Sequence, residues 1–219
     1  RRMKKMVELF SGSGKMSRAF RREGYETLEV DFDINCCPDL LIDINSKSIL
    51  HRIMDLGFDK PDVVWAGVDC TYFSRANPRN GGHFRAAGIP NSKEAKKAIT
   101  TLENTLNIID FLNPKFWFIE NPGGNGAMKQ LPMMKEYPST EIYYCQYGGL
   151  TKKPTSLFGQ FPSQFIPKTV CSHINHKEGI IQMKGHLDRS EYPTDFCKDI
   201  VKSCKNSKLR SHTTLEEYL

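Results

Sequence analysis

Long apolar runs are missing from this 219-residue chain, and no stretch approaches the roughly 18 consecutive hydrophobic residues that a membrane-crossing helix needs. No membrane partner is therefore expected. Internal repeats and low-complexity segments are absent as well, which leaves the reading of one ordinary globular unit. The first residues, 1–5, are basic, but no signal-type apolar core or small-residue cleavage site follows them. The chain thus reads as soluble and intracellular. Strong charge of one sign is also lacking: 31 Lys and Arg against 25 Asp and Glu leave a net charge of +6, compatible with a polyanionic partner without demanding one. What is present is a hydrophobic fraction of 39% with 11% aromatics, enough for a sizeable core. The seven cysteines are an odd count in a chain without a secretory signal, so reduced thiols are expected.

The first two thirds alternate strand and helix signals. Residues 6–10 form a short, mostly apolar run, followed by Gly12, Gly14 and a helical stretch to Phe20. Strand-like pieces recur at 27–31, 40–42, 62–66 and 116–119, with helices expected at 47–54 and 93–112. In the long helix, Ala95, Ala98, Ile99, Leu102, Leu106, Ile109 and Leu112 repeat at three and four residues and so share one face. Such alternation predicts an α/β fold with a mostly parallel sheet covered on both faces, and ligands collecting at the carboxyl ends of its strands. Further strand signals stand at 142–146 and 156–158. The expected organisation is a core over 1–158, a short irregular lobe over 159–188, a returning segment and helix over 189–206, and a frayed polar tail over 207–219.

Phe10-Ser11-Gly12-Ser13-Gly14 closes a strand and opens a helix, where glycines let a ligand approach the backbone and the helix offers free N–H groups. A phosphate-binding P-loop is excluded, because Leu9 and Met16 stand where that pattern needs glycine and Ser or Thr. Asp31, ending the next strand, could accept hydrogen bonds from a ribose diol, and Asp43 could accept from an adenine amine. Together these residues favour an adenosine-bearing cofactor over an ordinary tight turn. Cys70 follows the strand at 62–66 and Glu120 follows the strand at 116–119, so two strand ends would bring a thiol and a carboxyl into one cleft.

At this point the sequence resembles the DNA cytosine-5 methyltransferases, and most of all their small phage-type members. Phe10 to Gly14 is similar to the family's first motif, Cys70-Thr71-Tyr72-Phe73-Ser74 to its nucleophile loop and Glu120-Asn121-Pro122 to its Glu-Asn motif. Gln146, with Lys153-Pro154-Thr155 downstream, resembles its substrate-contacting segment, without the usual arginines. Residues 189–193 resemble the C-terminal motif that returns to the cofactor. The resemblance implies a Rossmann-like methyltransferase fold and S-adenosylmethionine as cofactor, held by the glycine loop with Asp31, Phe32, Asp43 and Ile44. It implies Cys70 as nucleophile, Glu120 as the acid at ring nitrogen 3, and duplex DNA with a flipped cytosine as partner. Ser74, Arg75, Arg79, Arg85, Asn121, Pro122, Gln146, Lys152, Lys153 and Thr155 become candidate DNA contacts. A monomer in the cytoplasm is expected, the host's cytoplasm for a viral source.

Two departures leave alternatives open. Val68-Asp69 replaces the proline usual before the nucleophile, and the Asp69 carboxylate would disfavour a thiolate unless Arg75, Arg79 or Arg85 compensates. A catalytically silent homologue is one alternative; the same chemistry on RNA or single strands is the other. The short lobe leaves little room for base readout, so weak sequence specificity with mostly phosphate contacts is expected. Cys171, His173 and His176 would need His186 or a distant cysteine to complete a zinc site, and no metal is expected.

Overall fold

The computed structural model describes residues 2–74, 83–85, 88–124, 126–172 and 191–209. Arg75, Arg79, His173, His176, His186 and Arg189 lie outside them. Seven strands build one sheet: β1 (Lys5–Leu9), β2 (Glu26–Asp31), β3 (Leu40–Leu41), β4 (Val63–Gly67), β5 (Phe116–Pro122), β6 (Ser139–Tyr143) and β7 (Pro154–Gln160). Their spatial order is β3-β2-β1-β4-β5-β7-β6. The first five neighbours run parallel, whereas β7 is antiparallel to both β5 and β6. The strand order reverses between β1 and β4, which opens a crevice at their carboxyl ends.

Strand alternation sends each side chain to one of two helical layers. Val7, Leu9, Val64, Ala66 and Ile119 face α2 (Ile49–Asp55) and α3 (Lys93–Leu112). Met6, Val63, Trp65, Phe116 and Phe118 face α1 (Lys15–Arg22) and α4 (Thr194–Lys205), which contribute Met16, Phe20, Phe196 and Ile200. The long helix α3 has the bounds its periodicity predicts. Ser92 accepts from the Ala95 N–H at its start, and Asn113 in left-handed conformation ends it.

The sequence misjudged the segment 142–146. The strand ends at Tyr143, and a 3-10 turn, Tyr144–Tyr147, follows. The reason is packing: Tyr144 and Tyr147 both stack against Phe196 of α4, with ring centroids 5.5 and 5.2 Å away, which an alternating strand cannot arrange. Strand β7 is also longer than its apolar residues suggest. At Gly159, φ is 149°, and a side chain there would collide with the Trp117 carbonyl, so glycine lets β7 lie against β5. Phe161 and Phe165, just beyond, are buried against Phe118. Residues 207–209, the described start of the expected tail, are anchored: the Ser163 N–H donates to the Lys208 carbonyl at 2.9 Å, and Ser207 is buried. Among the described residues no helix is long and apolar enough to cross a membrane.

Candidate active site

The crevice between β1 and β4 is lined first by the glycine loop. Phe10, Gly12 and Gly14 all take positive φ values of 57°, 49° and 63°, so the chain turns sharply from β1 into α1. At Gly14 the left-handed backbone is what favours glycine, since the nearest atoms a side chain would meet belong to the movable Glu29 carboxylate. Asp31 ends β2, and its two carboxylate oxygens accept the Gly12 and Asp33 N–H groups, each at 2.9 Å. Asp31 therefore fixes the loop, and a carboxylate with about four acceptor sites keeps capacity for a diol. Phe32, next in sequence, is 68% exposed at this edge. Asp43 is exposed, and one of its oxygens holds Asn45 through both the backbone N–H and the side-chain amide. Ile44 is buried, and Ser11 Oγ is enclosed with no hydrogen-bond partner among the described residues.

The segment entering α4 returns to this loop. Lys15 pairs with Glu191 at 3.3 Å, and the Trp65 indole N–H donates to the Tyr192 hydroxyl at 3.1 Å. A side chain at Gly67 would strike that hydroxyl, so Gly67 makes room for Tyr192.

The second group of residues follows β4 and β5. Glu120 is registered opposite Gly67, and the Asn121 side-chain amide donates to the Val68 carbonyl at 2.9 Å. This bond ties the strand carrying Glu120 to the loop carrying Cys70. The loop closes through the Ser74 N–H, which donates to the Cys70 carbonyl at 2.9 Å, and is propped by Phe73 stacked on Phe84. Asp69 replaces the missing proline physically: its Oδ1 accepts both the N–H and the hydroxyl of Thr71, at 2.9 and 2.6 Å. The turn is pinned by a side-chain bond instead of a ring.

The electrostatics join three groups. Burial pushes the Cys70 thiol upward, the Glu120 and Asp69 carboxylates add to this, and the Lys153 ammonium opposes it. Burial also raises the Glu120 carboxyl, against Lys153 and a hydrogen bond from Tyr144. The Tyr144 hydroxyl donates to Glu120 Oε1 at 3.0 Å. Burial holds that phenol well above its ordinary range, so it stays a donor. Among the described residues Lys153 is the cation that acts on Cys70; Arg75 and Arg79 lie outside them. Lys153 sits at φ 26°, and its ammonium lies 4.8 Å from the centre of the Tyr144 ring. Neither Lys153 nor Tyr144 carries a recognisable signal as a partner of Glu120. The antiparallel pairing of β7 with β5 brings Lys153 there, and that of β6 with β7 brings Tyr144.

Several expected contacts prove to be internal. Thr155 and Asn121 are fully buried, Thr155 behind Tyr144 and Asn121 on the Cys70 loop, so both support the site and present no surface to DNA. The Gln146 side-chain amide donates to the Ser172 hydroxyl at 3.2 Å, and the Gln146 backbone carbonyl accepts from Lys168. Arg85 is exposed beside the Cys70 loop and bonds Asn91 at 3.2 Å. Pro122 is half-buried opposite Thr155, and the Lys152 ammonium lies over the Tyr143 ring. A distant cysteine does approach Cys171: the Sγ atoms of Cys145 and Cys171 are 3.5 Å apart. Among the described residues no group of three potential ligands forms.

No family model matches the chain. A probable DNA (cytosine-5)-methyltransferase of Frog virus 3 (isolate Goorha), however, is 30% identical over 172 residues, covering 75% of this chain and 74% of that protein. The chain belongs to the DNA (cytosine-5)-methyltransferase family. This relative is from Frog virus 3, where the sequence resembled phage-type members most. The fold agrees with the methyltransferase EhMeth of Entamoeba histolytica, at a TM-score of 0.50 and 14% identity over 79% of this chain and 58% of that one. The Dnmt2 methyltransferase of S. pombe gives 0.46 and 16%, over 78% and 53%. The chain thus spans a little over half the length of these solved structures.

Proposed function

We propose that this chain transfers a methyl group from S-adenosylmethionine to carbon 5 of a cytosine flipped out of duplex DNA. The reading is carried by one observation: Cys70, Glu120 and Lys153 interact at the crevice that the glycine loop lines. The residues present also fit the cofactor. Phe32 offers an exposed face for a flat heterocycle, Asp31 and Asp43 offer acceptors to a diol and an amine, and Ser11 Oγ is buried without a partner. Bound S-adenosylmethionine would supply the electrophilic methyl group.

The chain's own residues would do the rest. Carbon 5 of cytosine is a weak nucleophile, so the Cys70 thiolate adds at carbon 6 and forms a carbon–sulfur bond. Electron density moves into the ring, and Glu120, carrying its proton, neutralises the charge at nitrogen 3. Tyr144 donating to Oε1 leaves Oε2 to carry that proton. After methylation the carbon 5 proton leaves to a solvent base, the double bond re-forms and the Cys70 thiolate is expelled. Lys153 favours the thiolate before addition and after release. Asp69, the residue that favours a silent homologue, is exposed, and its carboxylate is engaged by Thr71.

Incubation with tritium-labelled S-adenosylmethionine and duplex DNA is expected to label the DNA with intact Cys70 and to give background counts with Cys70→Ala. Label on RNA alone, or none with the unaltered chain, would overturn the reading. Phe32→Ala is expected to weaken S-adenosylmethionine binding about tenfold by calorimetry, the size of one aromatic stacking contact, with the melting temperature unchanged because the ring is exposed.

A further inference from the structure

Helices α1 and α4 lie side by side in the same direction on one face of the sheet. Lys15 at the start of α1 pairs with Glu191 just before α4, and Glu23 just after α1 pairs with Lys205 at the end of α4. Between them runs a groove of about 570 Å³. Lys15, Arg18 and Arg22 line one wall, and Lys198, Lys202 and Lys205 line the other. The spacing is helical on both sides, 15-18-22 and 198-202-205, so each row stays on the groove-facing side of its helix. Glu23 is the one carboxylate that joins these six cations in lining the groove.

We infer that this groove is a second nucleic-acid contact, binding the phosphate backbone of DNA away from the catalytic crevice. Each row spans seven residue steps, about 10 Å at 1.5 Å per residue. Neighbouring cations within a row stand three or four residues apart, about 5–6 Å between Cβ atoms, a spacing suited to successive phosphates of one strand, which lie further apart through space than their roughly 3.4 Å rise along the duplex axis. The exposed ion pairs Lys198–Asp195 at 3.2 Å and Lys205–Glu23 at 2.6 Å are of a kind worth little in water, so phosphates exchange for these carboxylates readily. Among the described residues Arg22 and Lys202 make no ion pair. Cys197 and Val201 on the floor are each 2% exposed, so a ligand meets the cations of the two rims first. Lys15 directly follows the glycine loop, so the groove starts at the edge where Cys70 lies and leads away from it.

The inference rests on DNA being the substrate, and the test separates the two. Anisotropy of a labelled 24-base-pair duplex would be titrated over a salt series, with and without S-adenosylmethionine. Compared would be the unaltered chain, the double variant Arg22→Gln with Lys202→Gln, and a control, Lys60→Gln with Lys135→Gln. The groove variant is expected to weaken binding at low salt and to flatten the log–log salt slope by about 2, roughly 0.9 per lost phosphate contact. Calorimetric affinity for S-adenosylmethionine should stay unchanged. A groove variant with the slope of the control overturns the inference. So does tight binding of a polyglutamate peptide that the groove substitutions abolish while the DNA slope stays fixed. A flattened slope in a chain that labels no DNA would sustain the groove and sink the proposed methyl transfer instead.

Discussion

Glu120→Gln is expected to lower methyl transfer to cytosine by about 10²–10⁴-fold, the range of a positioned general acid. It should do so without loss of cofactor binding, because Gln keeps an acceptor for the Tyr144 hydroxyl. The pH profile gives the sharper signature. The Glu120 carboxylate raises the Cys70 thiol, so the thiol's titration depends on the charge of the carboxyl. The state with one proton between them contains the productive form, thiolate with carboxylic acid. Its population rises as pH climbs through the carboxyl titration and falls above that of the thiol, which gives a bell. In the Gln variant no carboxyl remains, so the residual rate should rise with pH through the thiol titration and show no acid-side bell. A bell that persists in the variant would assign the acid to another group. Tyr144→Phe provides the companion measurement: losing the donor at Oε1 raises the Glu120 carboxyl further, so the acid limb should move to higher pH with the fold intact.

The second large effect concerns stability. Glu8 stands in the central strand β1, fully buried, and burial raises its carboxyl to about 7. It is retained for a local reason. Gly14 begins α1 with no side-chain cap, and Glu8 Oε2 accepts the N–H of Ser17 at 2.7 Å, a first-turn group that would otherwise be buried without a partner. The folded state therefore holds a proton that the unfolded chain, titrating near 4.5, has released. Stability from this group is fully present below pH 4.5 and is lost as pH rises to about 7, a loss of about 3 kcal/mol. For a chain of this size that is about 6–12 °C in melting temperature. Glu8→Gln keeps the acceptor and removes the titration, so melting curves at pH 5 and pH 8 should converge by about that amount. Asp199 and Glu120 are raised by burial as well and leave a residual slope of the same sign. An unchanged difference between the two pH values would show that Glu8 stays ionised throughout.

Both predictions turn on carboxyls whose environments the sequence did not reveal equally. Glu120 was legible because it ends an apolar run and precedes Asn121-Pro122, a break that marks a strand's carboxyl end. Glu8 was not, because a single charge inside a mostly apolar run reads as an ordinary strand residue until a helix is seen to need its oxygen. Arg75, Arg79 and Arg85 were natural candidates for the compensating cation because they lie near Cys70 in sequence. Among the described residues the cation that acts on Cys70 is Lys153, 83 positions away, while Arg75 and Arg79 lie outside them.

By itself the sequence determined the alternation that makes a parallel sheet, the glycine turn, and the placement of Cys70 and Glu120 after successive apolar strands, because these depend on local periodicity and backbone preference. Tertiary structure alone decided which groups surround them. The antiparallel pairing of β7 with β5 and of β6 with β7 sets Lys153, Tyr144 and Thr155 around Glu120, and the packing of α4 beside α1 turns two scattered sets of cations into one groove. Such neighbours are fixed by long-range burial of apolar faces, and that is written in no short stretch of the chain.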